Sequence, residues 1–112
     1  MKIHERFKNI PFSRAVDLAN LVRSHKGRVV NRSLVENEQV AISLFAMDQG
    51  EAFDSQSCPG DACFHILDGK ARINIGGKEV SAESGQAVVI PADVPHSLKA
   101  LAPLKLLFTL VR

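Results

Sequence analysis

The sequence contains no tryptophan, no tyrosine and only two cysteines among its 112 residues. Without Trp and Tyr, stacking on nucleic-acid bases would depend on the six phenylalanines, most of which lie within apolar runs. The formal charge is only +2, and the Lys and Arg residues are scattered along the chain. This charge is too small for the electrostatic footprint of a protein that binds nucleic acid or a membrane surface. We therefore expect neither partner.

Long apolar runs are also missing from the chain. The most apolar stretch, residues 98–111, is interrupted by two lysines and a proline and cannot span a bilayer. The charged N-terminus leads into no apolar segment, so we predict no signal peptide. Cys58 and Cys63 make no disulfide framework, and reduced thiols favour a cytoplasmic location.

What the sequence does contain is a series of short apolar segments separated by Gly and Pro. A chain of this length forms one domain, which can bury about two-thirds of its unfolded surface without help from a disulfide or a metal. Residues 71–75 alternate between apolar and polar, and Gly76-Gly77 then indicates a hairpin because both glycines can take a positive φ. Further strands are predicted at residues 28–35, 39–47, 78–80, 87–90, 96–101 and 104–111. This pattern predicts an all-β antiparallel sandwich or barrel.

Two sets of intervals go beyond general strand patterning. The first follows G-x5-Q-x-C-x3-A-x6-G and comprises Gly50, Gln56, Cys58, Ala62 and Gly69. The second follows G-x5-P-x-D-x2-H-x3-A and comprises Gly85, Pro91, Asp93, His96 and Ala100. These intervals resemble the two motifs of the cupin superfamily, G-x5-H-x-H-x3/4-E-x6-G and G-x5-P-x-G-x2-H-x3-N. The chain is most similar to small single-domain members with a conserved cupin 2 type barrel.

The resemblance implies a small antiparallel jelly-roll-like barrel at residues 28–112, with a pocket in its mouth and commonly a homodimer. Similar members carry a short turn and then a strand near the N-terminus. We therefore predict that residues 1–27 form an arm that packs on the barrel, with one helical turn and an edge strand near residues 20–24. A homodimer would also cover the apolar residues near the C-terminus, which exceed what one strand face can bury: Leu104, Leu106, Leu107, Phe108, Leu110 and Val111.

The resemblance also identifies candidate ligand residues, because metal-binding cupins hold one ion with two His and a Glu from the first motif and the His of the second. The corresponding positions here are Gln56, Cys58, Ala62 and His96. An amide oxygen is a weak ligand, a thiolate is a soft strong one, and an alanine offers nothing. We expect these four residues to form the pocket and no metal cofactor to be bound. The alternative is a divalent Zn, Ni, Fe or Cu held by Cys58, His96 and Gln56.

A metal site shifted along the chain is a third alternative, and it would recruit Asp54, Asp61, His65 or Cys63. Strict alternation along residues 64–67 places His65 on the face opposite Ala62, pointing away from the pocket. Cys63 falls on the same face as His65, where a buried and inert thiol is expected. Neither residue is therefore predicted to reach the pocket unless a bulge reverses the alternation.

Three classes of function remain open. The leading hypothesis is a cytoplasmic barrel that binds a small polar molecule in a pocket formed by Gln56, Cys58 and His96. The alternative is an enzyme with an atypical Cys/His/Gln metal site, similar to the family's dioxygenases, decarboxylases and isomerases. The third is a protein-interaction or structural role. A Cys58–His96 pair could also activate a thiolate, but no residue pattern supplies an oxyanion hole or an orienting third group.

Overall fold

The structure is a computed structural model that describes residues 6–112, so the first five residues of the predicted arm lie outside it. One four-residue 3-10 turn, Leu18–Leu21, precedes the strands. No helix in residues 6–112 is long and apolar enough to cross a membrane. The strands of the described part, β1 to β9 in chain order, are Val29–Glu36, Val40–Met47, Ala52–Gln56, Asp61–Asp68, Lys70–Ile75, Lys78–Glu83, Ala87–Ile90, His96–Ala100 and Leu104–Val111.

These strands form two antiparallel sheets. One sheet has five strands in the order β1-β2-β9-β4-β7, and the other has four in the order β3-β8-β5-β6. The all-β jelly-roll-like prediction is confirmed. The strands at residues 87–90 and 104–111 have their predicted bounds, and the hairpin glycines 76 and 77 have φ values of 56° and 90°.

The core lies between the two sheets and follows from side-chain alternation along each strand. On β4, Ala62, Phe64 and Ile66 are buried, while the residues between them are only partly buried. Ile73 from β5 and Leu98 from β8 face them from the other sheet with 0% and 1% of their surface exposed. Polar residues occupy the alternate positions of β5, so this sheet has one apolar and one solvated face.

A second apolar cluster lies on the outer face of the five-stranded sheet. We call it the outer cluster; its buried members are Val22, Leu34, Leu44 and Ala46. The arm supplies most of its cover, because Ile10, Leu18 and Leu21 pack against these residues. The outer face of β2 is therefore apolar for the same reason as its inner face: both are covered by other parts of the chain.

Side chains and one main-chain hydrogen bond, from the N–H of Lys8 to the carbonyl oxygen of Leu34 at 2.9 Å, fasten the arm to the sheet without a strand ladder. The Nε and Nη1 atoms of Arg32 donate to the carbonyl oxygens of Asn9 and Leu21 at 2.6 and 3.0 Å. The Nζ of Lys105 donates to the carbonyl oxygen of Ala19 at 2.6 Å. The edge strand predicted near residues 20–24 is therefore wrong, because the 3-10 turn occupies its start and these side chains take the place of a partner strand.

Strand β9 is apolar on both faces because it lies in the middle of the five-stranded sheet. Leu104 and Leu106 are fully buried in the core, and Leu107 packs on the outer cluster. Most of the apolar excess that motivated the homodimer is thus covered within the chain. The homodimer stays a prediction, and the outer face keeps Val89 and Val111 at 64% and 56% exposure for such a contact.

Gly60 marks a place where two backbone segments approach too closely for any side chain. A Cβ atom there would overlap the backbone oxygen of Val111 and lie 2.6 Å from the Cα of Arg112. Gly60 has no positive φ, so the constraint is space rather than backbone conformation. By contrast, Gly77 has a φ of +90°, and a Cβ atom added there would meet no other atom within 4 Å.

We expect Gly60→Ala to lower the free energy of unfolding by about 3 kcal/mol, because the clash forces the end of β9 to move. Gly77→Ala is the control, since it meets only the backbone cost of a positive φ, about 1 kcal/mol. Chemical denaturation of both variants measures the difference. A loss in Gly60→Ala no larger than that in Gly77→Ala would show that the end of β9 shifts freely.

Candidate functional site

The barrel holds a cavity of about 240 Å³ with a mostly aromatic lining. Its lining comes from both sheets and comprises Phe45, Phe53, Gln56, Phe64, His96, Leu98 and Phe108. Four of the six phenylalanines in the chain are thus gathered around one space. Gln56 and His96 are the polar side chains of this lining, and it includes no Lys, Arg, Asp or Glu.

An irregularity in β3 brings two of these residues onto the same face. Phe53 pairs with Leu98 and Gln56 pairs with His96, so three steps along β3 match two steps along β8. In a regular strand, residues three apart point to opposite faces. The extra residue is a β-bulge, and it lets both Phe53 and Gln56 face the cavity.

The phenylalanine rings form a continuous series of contacts around the cavity. Phe45 meets Phe53 edge-to-face with ring centroids 5.1 Å apart, and it meets Phe108 at 6.2 Å. The ring centroid of Phe64 lies 5.4 Å from that of Phe108 and 5.8 Å from that of the His96 imidazole. Aromatic pairs in such geometries contribute about 0.5–1.5 kcal/mol each beyond their area burial, so the walls are held in place by one another.

His96 is buried, with 5% of its surface exposed. Its Nδ1 atom lies 3.1 Å from the carbonyl oxygen of Val94. A carbonyl oxygen only accepts hydrogen bonds, so Nδ1 carries the proton of this contact. In the neutral imidazole, Nε2 is then an acceptor that remains for another partner.

A tied loop positions His96. Asp61 accepts a hydrogen bond from the backbone N–H of Ala92 at 2.9 Å, and the N–H of Asp93 donates to the carbonyl oxygen of Cys58 at 2.8 Å. Asp93 itself has a φ of 65°, in the left-handed region. Two hydrogen bonds therefore hold the loop that precedes His96, one to Cys58 between β3 and β4 and one to Asp61 at the start of β4.

The structure brings together only part of the predicted pocket. Gln56 and His96 line the cavity and are direct partners across β3 and β8. Cys58 is partly buried against the core and lies in the loop after β3, outside the cavity lining. Ala62 faces inward on β4 but is packed in the core with 1% exposure. The phenylalanines of the lining were not predicted, although alternation from Ala62 already places Phe64 on the inner face.

The donor set does not fit the metal site of metal-binding cupins. Within residues 6–112, no three His, Cys, Asp or Glu side chains form a group that could hold a metal ion. The cavity offers one imidazole and one amide, and Ala62 has no donor atom where those proteins have a glutamate. A divalent transition metal prefers more and better ligands than these.

The shifted metal site is not assembled either. Among the described residues, Asp54, Asp61, Cys63 and His65 belong to no metal-binding group. Asp61 is engaged with the backbone of Ala92. Cys63 and His65 alternate with the buried residues of β4 and lie on the outer face, as the alternation predicted. The expectation of a buried thiol is wrong, because Cys63 is only partly buried there.

Comparison with known proteins identifies the family. Residues 43–110 match the family model described as the cupin domain, and the chain belongs to the cupin family. A conserved protein of unknown function from Streptococcus pyogenes is 31% identical, with 99% of this chain and 97% of that chain covered and a TM-score of 0.96. A cupin superfamily protein from Desulfitobacterium hafniense is 27% identical, with 96% and 98% covered and a TM-score of 0.91.

A third solved structure, a cupin 2 conserved barrel domain protein from Leptotrichia buccalis, is 31% identical with a TM-score of 0.84. That alignment covers 87% of this chain and 47% of the other. No curated protein matches the chain significantly.

We expect Asp93→Ala to lower the free energy of unfolding by about 1 kcal/mol, because alanine tolerates the left-handed region less well than aspartate does. Asp93→Gly is the matched variant, since glycine adopts this φ without strain and retains the N–H that donates to Cys58. Chemical denaturation compares the two. Equal losses in both variants would show that the aspartate side chain, rather than the backbone conformation, stabilises the loop.

Proposed function

We propose that this cupin barrel binds a small organic molecule with a ring-sized apolar body in its cavity, without a metal ion. The observation that carries the proposal is the lining itself: four phenylalanines and Leu98 surround the space, and only Gln56 and His96 are polar. Apolar walls with a few placed polar groups are typical of small-molecule sites, in which the polar groups set orientation and specificity.

The size of the cavity limits the ligand. An apolar cavity of about 150 Å³ accommodates benzene. The cavity here, at about 240 Å³, has room for one ring with short substituents. The sequence predicted a polar ligand because it identified only Gln56, Cys58 and His96 as pocket residues. With four phenylalanines in the lining, the cavity suits a more apolar ligand.

The enzyme alternative receives less support from these residues. Dioxygenase, decarboxylase or isomerase chemistry of the metal-dependent kind needs a metal centre, and the cavity offers only His96 and Gln56 as donors. We therefore propose binding rather than metal-dependent catalysis. The two cysteines are free, which supports the cytoplasmic location as part of the same proposal.

A first prediction concerns metals. Protein purified without a metal-affinity tag is expected to contain no stoichiometric Zn, Ni, Fe or Cu by elemental analysis. Its melting temperature should be the same with each metal as with a chelator. A metal bound only by the folded state at about 1,000 times its dissociation constant would add about 4 kcal/mol to stability. A large metal-dependent rise would therefore show that a ligand has been missed.

A second prediction tests the cavity with toluene, an apolar single ring. Toluene should shift the NMR signals of the lining phenylalanines and Leu98. Phe53→Trp, which adds volume to the lining, should weaken toluene binding about tenfold, equivalent to about 1.4 kcal/mol. Phe12→Trp is the matched control, because Phe12 is 52% exposed in the arm and should leave binding unchanged. Signal shifts spread over the outer face instead would contradict the proposal.

A further inference from the structure

We infer that the natural ligand of this cavity is an uncharged ring compound that donates a hydrogen bond to His96 through a hydroxyl group, with a phenol as the simplest member of the class. This inference rests on the proposed function, since it specifies which single-ring molecule the cavity accepts. Three observations support it, concerning the tautomer of His96, the charge of the lining and the amide of Gln56.

The tautomer of His96 sets the direction of the hydrogen bond between its Nε2 atom and a ligand. Its Nδ1 proton is directed to the carbonyl oxygen of Val94, 3.1 Å away. Nε2 of the neutral ring therefore offers a lone pair, and a ligand must bring the proton. The ring is buried and rests edge-on against Phe64, so this orientation is held from two sides.

The absence of charged residues from the lining disfavours ionic ligands. No Lys, Arg, Asp or Glu lines the cavity. A carboxylate would enter without a cationic partner and would face the lone pair of Nε2, while an ammonium group would find no carboxylate. Burying an unpaired charge is costly, so the lining favours an uncharged molecule.

Gln56 gives the hydroxyl a second partner. It is the neighbour of His96 across β3 and β8 and lines the same cavity. Its amide can both donate and accept, whereas Nε2 of His96 only accepts. A hydroxyl group can donate to Nε2 and accept from the Gln56 amide at the same time. A ligand with a methyl group in that position would leave Nε2 of the buried His96 without a partner, whereas the exposed Gln56 amide can bond to water. The loss at His96 provides most of the discrimination.

The test uses three probes of nearly equal shape: p-cresol, p-xylene and p-toluate. We expect p-cresol to bind the natural chain about tenfold or more tightly than p-xylene, and p-toluate to bind more weakly than p-cresol. Titration calorimetry measures the three affinities. Long-range 1H–15N correlations of His96 report independently which ring nitrogen carries the proton, with Nδ1 protonated and Nε2 bare expected.

Variants separate the hydrogen bond from the shape of the cavity. His96→Phe should bind p-cresol and p-xylene equally, because it retains a ring and removes the acceptor. His25→Phe is the control, since His25 is exposed outside the barrel cavity and should leave the preference intact. Gln56→Leu, at an exposed position, should reduce the preference without the risk of unfolding the core.

The outcomes distinguish this inference from the proposed function. Equal affinity for p-cresol and p-xylene, tighter binding of p-toluate, or a proton on Nε2 would overturn the hydroxyl-donor inference while ring binding still stands. Failure of all three probes and of toluene to bind would overturn the proposed function and the inference with it.

Discussion

The pairing of β3 with β8 is the constraint on which the chemistry of the cavity depends. Because the bulge matches three steps on β3 to two on β8, Phe53 and Gln56 both face inward beside Leu98 and His96. A regular ladder would turn one of them to solvent and leave the cavity without either an aromatic wall or its amide. One inserted residue thus places a polar pair, Gln56 and His96, within an otherwise apolar lining.

Much of the architecture could be predicted because it depends on local chemistry. Gly76-Gly77, single glycines and prolines marked the turns, and alternation marked the strands, so the all-β fold and the inward side of β4 followed from the sequence. The motif spacings identified Gln56 and His96, which are partners across β3 and β8 in the structure. Cys58 shows where spacing is insufficient: β3 ends at Gln56, so the alternation that would carry Cys58 onto the same face has no strand to follow. The Phe53 position depended on a bulge, which leaves no clear mark in the residues around it.

The two apolar faces of the five-stranded sheet illustrate the same limit at larger scale. Sequence patterning identified the residues of β9 as more apolar than one strand face can bury but could not say what covers the outer face. A second copy of the chain was the expected cover; the structure uses the arm, fastened by Arg32 and Lys105 to backbone carbonyls. Those hydrogen bonds join residues that are distant in sequence. Nothing in the sequence around the donor or the acceptor predicts such a bond.

The position of His96 does not require a metal. Asp61 and the carbonyl of Cys58 bind the backbone of the loop before it, and Val94 binds its Nδ1. Each of these contacts is internal to the chain, so the imidazole has a defined orientation before any ligand arrives.

In metal-binding cupins a histidine at this place contributes its lone pair to an ion. Here His96 lines a space walled by phenylalanines, and the residues of β3 and β4 contribute to that lining. The scaffold therefore supplies an oriented imidazole, and the apolar side chains around it are the reason for proposing an organic molecule as its partner.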